Sequence, residues 1–202
     1  QQPPHGSNVM PVMCVGQGQW LSATIKNQGT AAAGVSSTQL NLSSNGVYNA
    51  ATVALNAGVS ADVSWNLTPT TAGSQSLLGI ADQGGAVAES NEGNNTRNET
   101  GFTVLNTPGS APTGLADTAY TATSISWSWN SVAGATSYII YLDGVFVGST
   151  AGTNYITASL PCGPSHTVAV YAANICGGSA SAATHTASTA DFNLSTNPSS
   201  RA

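Results

Sequence analysis

Between Asp82 and Asn95 the chain gathers its only local concentration of acids, with Asp82, Glu89, Glu92, Asn94 and Asn95 close together. Carboxylate and amide oxygens are the hard ligands that Ca²⁺ takes. Asp82, Glu89, Glu92 and Asn94 are therefore the candidate ligands for calcium, although their spacing is not that of an EF-hand loop. The competing reading is a turn. Asn and Asp side chains cap their own backbone in tight turns, and Asn tolerates left-handed dihedrals. Glu89-Ser90-Asn91-Glu92-Gly93-Asn94-Asn95 would then join two edge strands, and both readings stay open. No other cofactor is implied.

The three histidines, His5, His166 and His185, fall in a tail, at a strand start and in a late strand. None is linked by sequence to a nucleophile elbow or a metal-type partner. The chain reads as non-enzymatic. Cys14, Cys162 and Cys176 make an odd count without metal-like spacing. In an exported protein a leftover thiol suggests a partner on another molecule. Residues 166 to 173 read as one extended strand. At about 3.3 Å per residue, that strand places Cys162 and Cys176 at opposite ends of a sandwich, too far apart to bridge. Cys14, near the start of the chain, and Cys162 are the candidate pair for an intersubunit disulfide.

The elements that would position these groups are strands. Apolar and polar residues alternate over short stretches punctuated by Gly, Asn and Pro, which is the period of half-buried strands. The pattern marks residues 20–25, 47–54, 59–65, 74–81 and 100–105. A break follows at Asn106-Thr107-Pro108-Gly109-Ser110-Ala111-Pro112, a short and stiff linker by composition. Alternation restarts at 124–129 and 137–142. Asp143-Gly144 reads as a hairpin turn of the kind that needs positive φ, and strand-like segments follow at 145–147, 155–156 and 167–172. Trp20, Trp65, Trp127 and Trp129 fall at alternating, core-compatible positions. Many short strands with regular turn signals predict an all-β fold of two tandem immunoglobulin-like β-sandwiches joined by a short Pro/Gly linker.

Composition narrows the function classes. Of the 202 residues only 5% are charged, while 41% are hydrophobic; a typical soluble domain is roughly 25% charged. Hydroxyls, amides and small residues must cover the surface, and weak self-repulsion leaves the chain free to pack against copies of itself. The formal charge is −5 and the basic residues are Lys26, Arg97 and Arg201. Nucleic acid needs clustered cations and is excluded. No apolar run approaches the roughly 18 residues that span a bilayer. The opening Gln1-Gln2-Pro3-Pro4 shows no signal segment, and the sequence reads as a mature secreted form or one piece of a longer chain.

The segment Ala23-Thr24-Ile25-Lys26-Asn27-Gln28-Gly29-Thr30-Ala31-Ala32-Ala33-Gly34, with Ala81-Asp82-Gln83 and Val87-Ala88-Glu89-Ser90-Asn91-Glu92-Gly93-Asn94-Asn95, resembles a CARDB domain. CARDB is a cell-adhesion-related module of bacteria and archaea, and the resemblance implies a seven-stranded sandwich without naming a ligand. The later half resembles a fibronectin type III domain. The Trp129 strand, Ala133-Gly134-Ala135-Thr136-Ser137-Tyr138, the Asp143-Gly144 hairpin and Leu160-Pro161-Cys162-Gly163 carry that likeness. His166 stands where that family has its corner tyrosine, and an imidazole can donate one hydrogen bond to a nearby backbone carbonyl. The expected layout is a tail at 1–8, a CARDB-like sandwich at 9–106, a linker at 107–112, a fibronectin-like sandwich at 113–188 and an extension at 189–202.

A CARDB domain opens with a strand of the type Asp-Leu-x-Val, and the region before Cys14 is proline-rich and poor as a strand. Asp191-Phe192-Asn193-Leu194, in the extension, is close to that opening. A sandwich short of an edge strand exposes unpaired backbone groups, and a donated strand supplies the missing ladder. Head-to-tail donation does not close on itself and makes a fibre. The leading expectation is a structural or adhesive subunit of an extracellular microbial filament or surface fibre whose partners are copies of itself. The alternative is an accessory module, binding glycan or a surface protein, of a larger secreted enzyme or adhesin.

Overall fold

The computed structural model describes residues 12–89 and 91–191. The chain divides into two compact units at Asn106–Thr107. The elements of the first unit are β1 (Met13–Cys14), β2 (Gln19–Lys26), β3 (Ser36–Leu42), β4 (Gly46–Thr52), β5 (Ser60–Leu67), β6 (Gly73–Ile80), a 3₁₀ turn (Glu92–Asn94) and β7 (Thr96–Leu105). They form one sheet in the order β1-β7-β6-β3-β4 and a second of β2 and β5. Alternation explains the layering. In β5, Val63, Trp65 and Leu67 point inward while Ser60, Asp62, Ser64 and Asn66 face solvent. Together with Met13, Leu40, Leu42, Phe102 and Val104 they make one core, and each such buried side chain contributes about 1.5–3 kcal/mol. Thr38, buried on β3, has its hydroxyl 2.6 Å from that of Thr52, so burial leaves neither group unpaired.

The second unit contains β8 (Ala116–Tyr120), β9 (Ser124–Ser128), β10 (Ser137–Leu142), β11 (Val145–Thr150), β12 (Asn154–Ala158), β13 (Ser165–Asn174), β14 (Gly177–Gly178) and β15 (Ala183–Ser188). One sheet runs β11-β10-β13, with β14 and β15 both on the far edge of β13; the other runs β12-β9-β8. The core between them holds Ile125, Trp127, Ile140, Val168 and Val170, all fully buried. The Trp127 indole donates to Thr157 Oγ1 at 3.0 Å, and that hydroxyl donates to the Ile125 carbonyl. Asp143 and Gly144 form the β10–β11 turn with φ of +50° and +81°, the left-handed pair the sequence calls for. Among the described residues no helix is long and apolar enough to cross a membrane.

Three expectations are corrected. Trp65, Trp127 and Trp129 are buried, but Trp20 is 69% exposed. The β2–β5 register sets Trp20 opposite Asn66 on the outer face, while Leu21 and Ile25 take the inner one. His166 does not bond to a backbone carbonyl. Its Nδ1 lies 2.7 Å from Asp143 Oδ2, because the left-handed turn holds that carboxylate beside the start of β13. Lastly, Thr189 and Ala190, expected to open the C-terminal extension, are hydrogen-bonded to residues of the second unit. Thr189 is buried, its hydroxyl donates to the Pro161 carbonyl and accepts from the Gly163 amide, and the Ala190 amide donates to the Thr121 carbonyl.

Candidate functional site

The acid-rich segment of the first unit is built as a turn. Asp82 sits at φ +45° after β6, and its carboxylate accepts from the amides of Ala86 and Val87 at 3.0 and 2.9 Å. Asn91 caps the 3₁₀ turn by accepting from the Gly93 amide. Both Asp82 oxygens are thus engaged by backbone. No group of three or more His, Cys, Asp or Glu that could hold a metal occurs among the described residues.

The cysteines divide differently from the sequence expectation. Cys14 and Cys176 are disulfide-bonded. Cys162 keeps its thiol, which donates to the Ala190 carbonyl at 2.9 Å. With the Cys14 sulfur already bonded, the expected Cys14–Cys162 link is not formed. Of the expected donor segment, Asp191 is exposed at the end of the second unit, and Phe192, Asn193 and Leu194 lie outside the described residues. Among the described residues β2 pairs only with β5.

Two histidine–carboxylate pairs occur in the second unit. His166 pairs with Asp143, and His185 Nε2 lies 2.9 Å from Asp117 Oδ1. A hydrolytic relay needs a hydroxyl or thiol on the other imidazole nitrogen. His166 Nε2 is instead buried with no hydrogen-bond partner among the described residues. In the first of these pairs the bond from His166 holds the Asp143 carboxyl below its ordinary value, and the Thr167 amide adds to the effect. The pair is a structural clasp on the hairpin.

What the sequence reading did not single out is an aromatic face. Tyr141 on β10 stands directly opposite Phe146 on β11, across a bulge at Ile140–Tyr141. On the other side, Tyr171 on β13 pairs with Ile139 and lies diagonal to Tyr141. The Tyr141 ring meets Phe146 at 5.8 Å and 69°, and Tyr171 at 5.8 Å and 75°. Phe146 is 57% exposed, and both tyrosines are half-buried. Ile139, Ala169 and the two tyrosines line a shallow groove of ≈ 490 Å³ on this outer face. The inward positions of the same strands, Tyr138, Ile140, Leu142, Val168 and Val170, make the core. This sheet is therefore apolar on both sides over its middle, a signature of contact surfaces.

Residues 8–99 match the CARDB family model, and the FN1–FN3 domains of chicken CNTN1 superpose on 89% of this chain and 62% of their own length with a TM-score of 0.50 at 11% identity. The chain is 52% identical over 64 residues to a poly(3-hydroxybutyrate) depolymerase of Ralstonia pickettii, covering 32% of this chain and 13% of the relative. It is 45% identical over 53 residues to exochitinase 1 of Streptomyces olivaceoviridis, covering 26% of this chain and 9% of that enzyme. The matched segments thus span only a small part of either relative. Domains A168–A170 of titin superpose on 91% of this chain and 63% of their own length with a TM-score of 0.54 at 15% identity. That likeness is one of fold, a series of β-sandwiches.

Proposed function

We propose that this chain is a non-catalytic accessory module of an extracellular polymer-degrading enzyme. The observation that carries the reading is the pair of segmental identities, 52% and 45%, to a depolymerase and an exochitinase. Short, high-identity matches inside two enzymes named for different reactions are what a module shared between unrelated catalytic domains leaves behind. The histidine–carboxylate pairs fit the same reading, since each ties separate elements of the sandwich together. The filament reading draws on the low charge of the chain and on the resemblance of Asp191-Phe192-Asn193-Leu194 to a CARDB opening strand.

The test joins the 202-residue chain to the catalytic domain of a polyester depolymerase or a chitinase. Degradation of solid polymer and of soluble oligomer is then followed with and without the chain. The fusion is expected to act faster on the solid and equally on the soluble substrate. Equal rates on both, product release by the chain alone, or fibres of the chain in negative stain at neutral pH would each overturn the reading.

A further inference from the structure

We propose that the outer face of the β11–β10–β13 sheet, centred on Tyr141, Phe146 and Tyr171, docks on the surface of an uncharged aliphatic polyester. The proposal rests on the accessory-module reading and names the polymer class that this module holds.

Charge decides the first step. The described part of the second unit contains no Lys or Arg, so nothing there attracts an anionic polymer. Of its carboxylates, Asp143 beside the groove is engaged by His166 and the Thr167 amide. The outward positions of β10 and β13 carry only Ser, Thr, Ile, Ala and Tyr. An uncharged face of this kind complements an uncharged ligand.

Ring geometry decides the second. A pyranose stacks best on an aromatic ring presented flat to it. Here the three rings stand edge-to-face, 69° and 75° from one another, an arrangement that neighbouring aromatics prefer among themselves. They cannot form a coplanar platform. Between them they leave an apolar trough floored by Ile139 and Ala169, suited to methyl and methylene groups.

Hydrogen bonding decides the third. Neither the Tyr141 nor the Tyr171 hydroxyl is bonded to a described protein atom, whereas the other hydroxyls at this end, of Thr167 and Thr186, bond to each other at 2.8 Å. The groove is lined by two phenolic hydroxyls, each able to donate as well as accept, and by no carboxylate or carboxamide. An ester has carbonyl acceptors and no donors, so its needs are met. A polyol carries many hydroxyl donors, and two phenolic oxygens can accept from only a few of them.

The experiment measures depletion of the full chain from solution by poly(3-hydroxybutyrate) granules and by crystalline chitin, with thermal melting and sedimentation velocity on each variant. Phe146→Ser is the principal variant because the side chain is exposed and its loss leaves the core intact. The double variant Tyr141→Phe/Tyr171→Phe keeps the rings and removes both donors. The native chain is expected to bind polyester granules and not chitin. Phe146→Ser is expected to bind them about tenfold more weakly at an unchanged melting temperature, with the double variant between the two. Equal binding by native chain and variants would place the contact on another face and leave the accessory reading standing. Chitin binding that the variants lose would replace the polyester with a pyranose polymer. Self-association that the variants abolish would make the face a contact between copies. Binding to neither solid would overturn the inference, and the fusion assay then decides on the module separately.

Discussion

Asp143→Asn offers a severe test of how the second unit holds its hairpin. The native carboxylate does three things at once: it accepts from the Thr167 amide at 2.8 Å, pairs with His166 at 2.7 Å and occupies φ +50°. Asn keeps the side-chain volume and tolerates the left-handed backbone, so the substitution removes the charge and leaves the turn. One amide oxygen can still meet one donor, while the amide nitrogen faces the other. The Asp143 side chain is 50% exposed, which discounts a charge-assisted bond toward the low end of its range. The net loss is about 1 kcal/mol, or about 4–8 °C in melting temperature for a domain of this size. The sign of the pH effect follows from the depressed Asp143 carboxyl. A group whose folded value lies below its unfolded one stabilises fully above the unfolded value, here 3.8, and loses that contribution as pH falls through the folded value. Melting followed by near-ultraviolet circular dichroism should therefore show the gap between native chain and variant at pH 7. The gap should narrow once the pH is well below 3.8. A variant that melts with the native chain at pH 7, or a gap that persists undiminished in acid, would refute the clasp.

Thr157→Val removes the only hydroxyl that satisfies the buried Trp127 N–H and should cost about 1–3 kcal/mol, read as a lowered urea midpoint with an unchanged slope. Trp20→Ser, on the exposed face of β2, should stay within about 0.5 kcal/mol of the native stability, whereas a core tryptophan such as Trp65 would not. Asp82→Ala strips two amides of their acceptor and leaves at φ +45° a residue without the polar side chain that helps Asp adopt left-handed backbone. It should cost about 2 kcal/mol, with calcium leaving the native melting temperature unmoved because the carboxylate serves the backbone. A calcium-dependent rise of several degrees would overturn that last expectation.

Much of the fold is legible from alternation, and its gaps have physical causes. Strands β5, β9, β10 and β13 carry large apolar residues at every second position and announce themselves. Strands β8 (Ala-Asp-Thr-Ala-Tyr) and β15 (Ala-Thr-His-Thr-Ala-Ser) do not; hydroxyls and alanines fit either face, and pairing with β9 and β13 is what makes them strands. Trp20 fails for a related reason. In β2 the sets Trp20-Ser22-Thr24 and Leu21-Ala23-Ile25 both contain a large apolar side chain, and only the register with β5 tells which set turns inward. The aromatic face was hidden by the opposite ambiguity. Tyr138-Ile139-Ile140-Tyr141-Leu142 is apolar without interruption, which reads as a strand buried on both sides. The signal available was the Asp143-Gly144 turn, which folds β11 back and sets Phe146 beside Tyr141. The cysteines were beyond reach, since three thiols spaced along a chain carry no information on which pair meets.

The low charge of the chain and the aromatic face bear on each other. Besides the Arg97–Glu99 ion pair, this surface bonds neutral groups to one another across strands: Thr167 with Thr186 and Gln39 with Asn49. Cross-strand pairs of this kind contribute roughly 0.2–1 kcal/mol each, and being uncharged they are not screened by salt. A surface so made has no long-range field to steer it toward an ionic partner, and its encounters run at the unsteered rate of about 10⁵–10⁶ M⁻¹s⁻¹. Selection for a charged ligand would be expected to leave cations or a cluster of free carboxylates, and the second unit has neither in its described residues. A solid, uncharged polymer asks for something else. It offers many identical sites, so slow encounter matters little, and short-range apolar contact decides retention. In the accessory-module reading, a surface poor in charge and bearing an exposed cluster of rings answers that requirement, which ties the composition of the chain to the face on β10, β11 and β13.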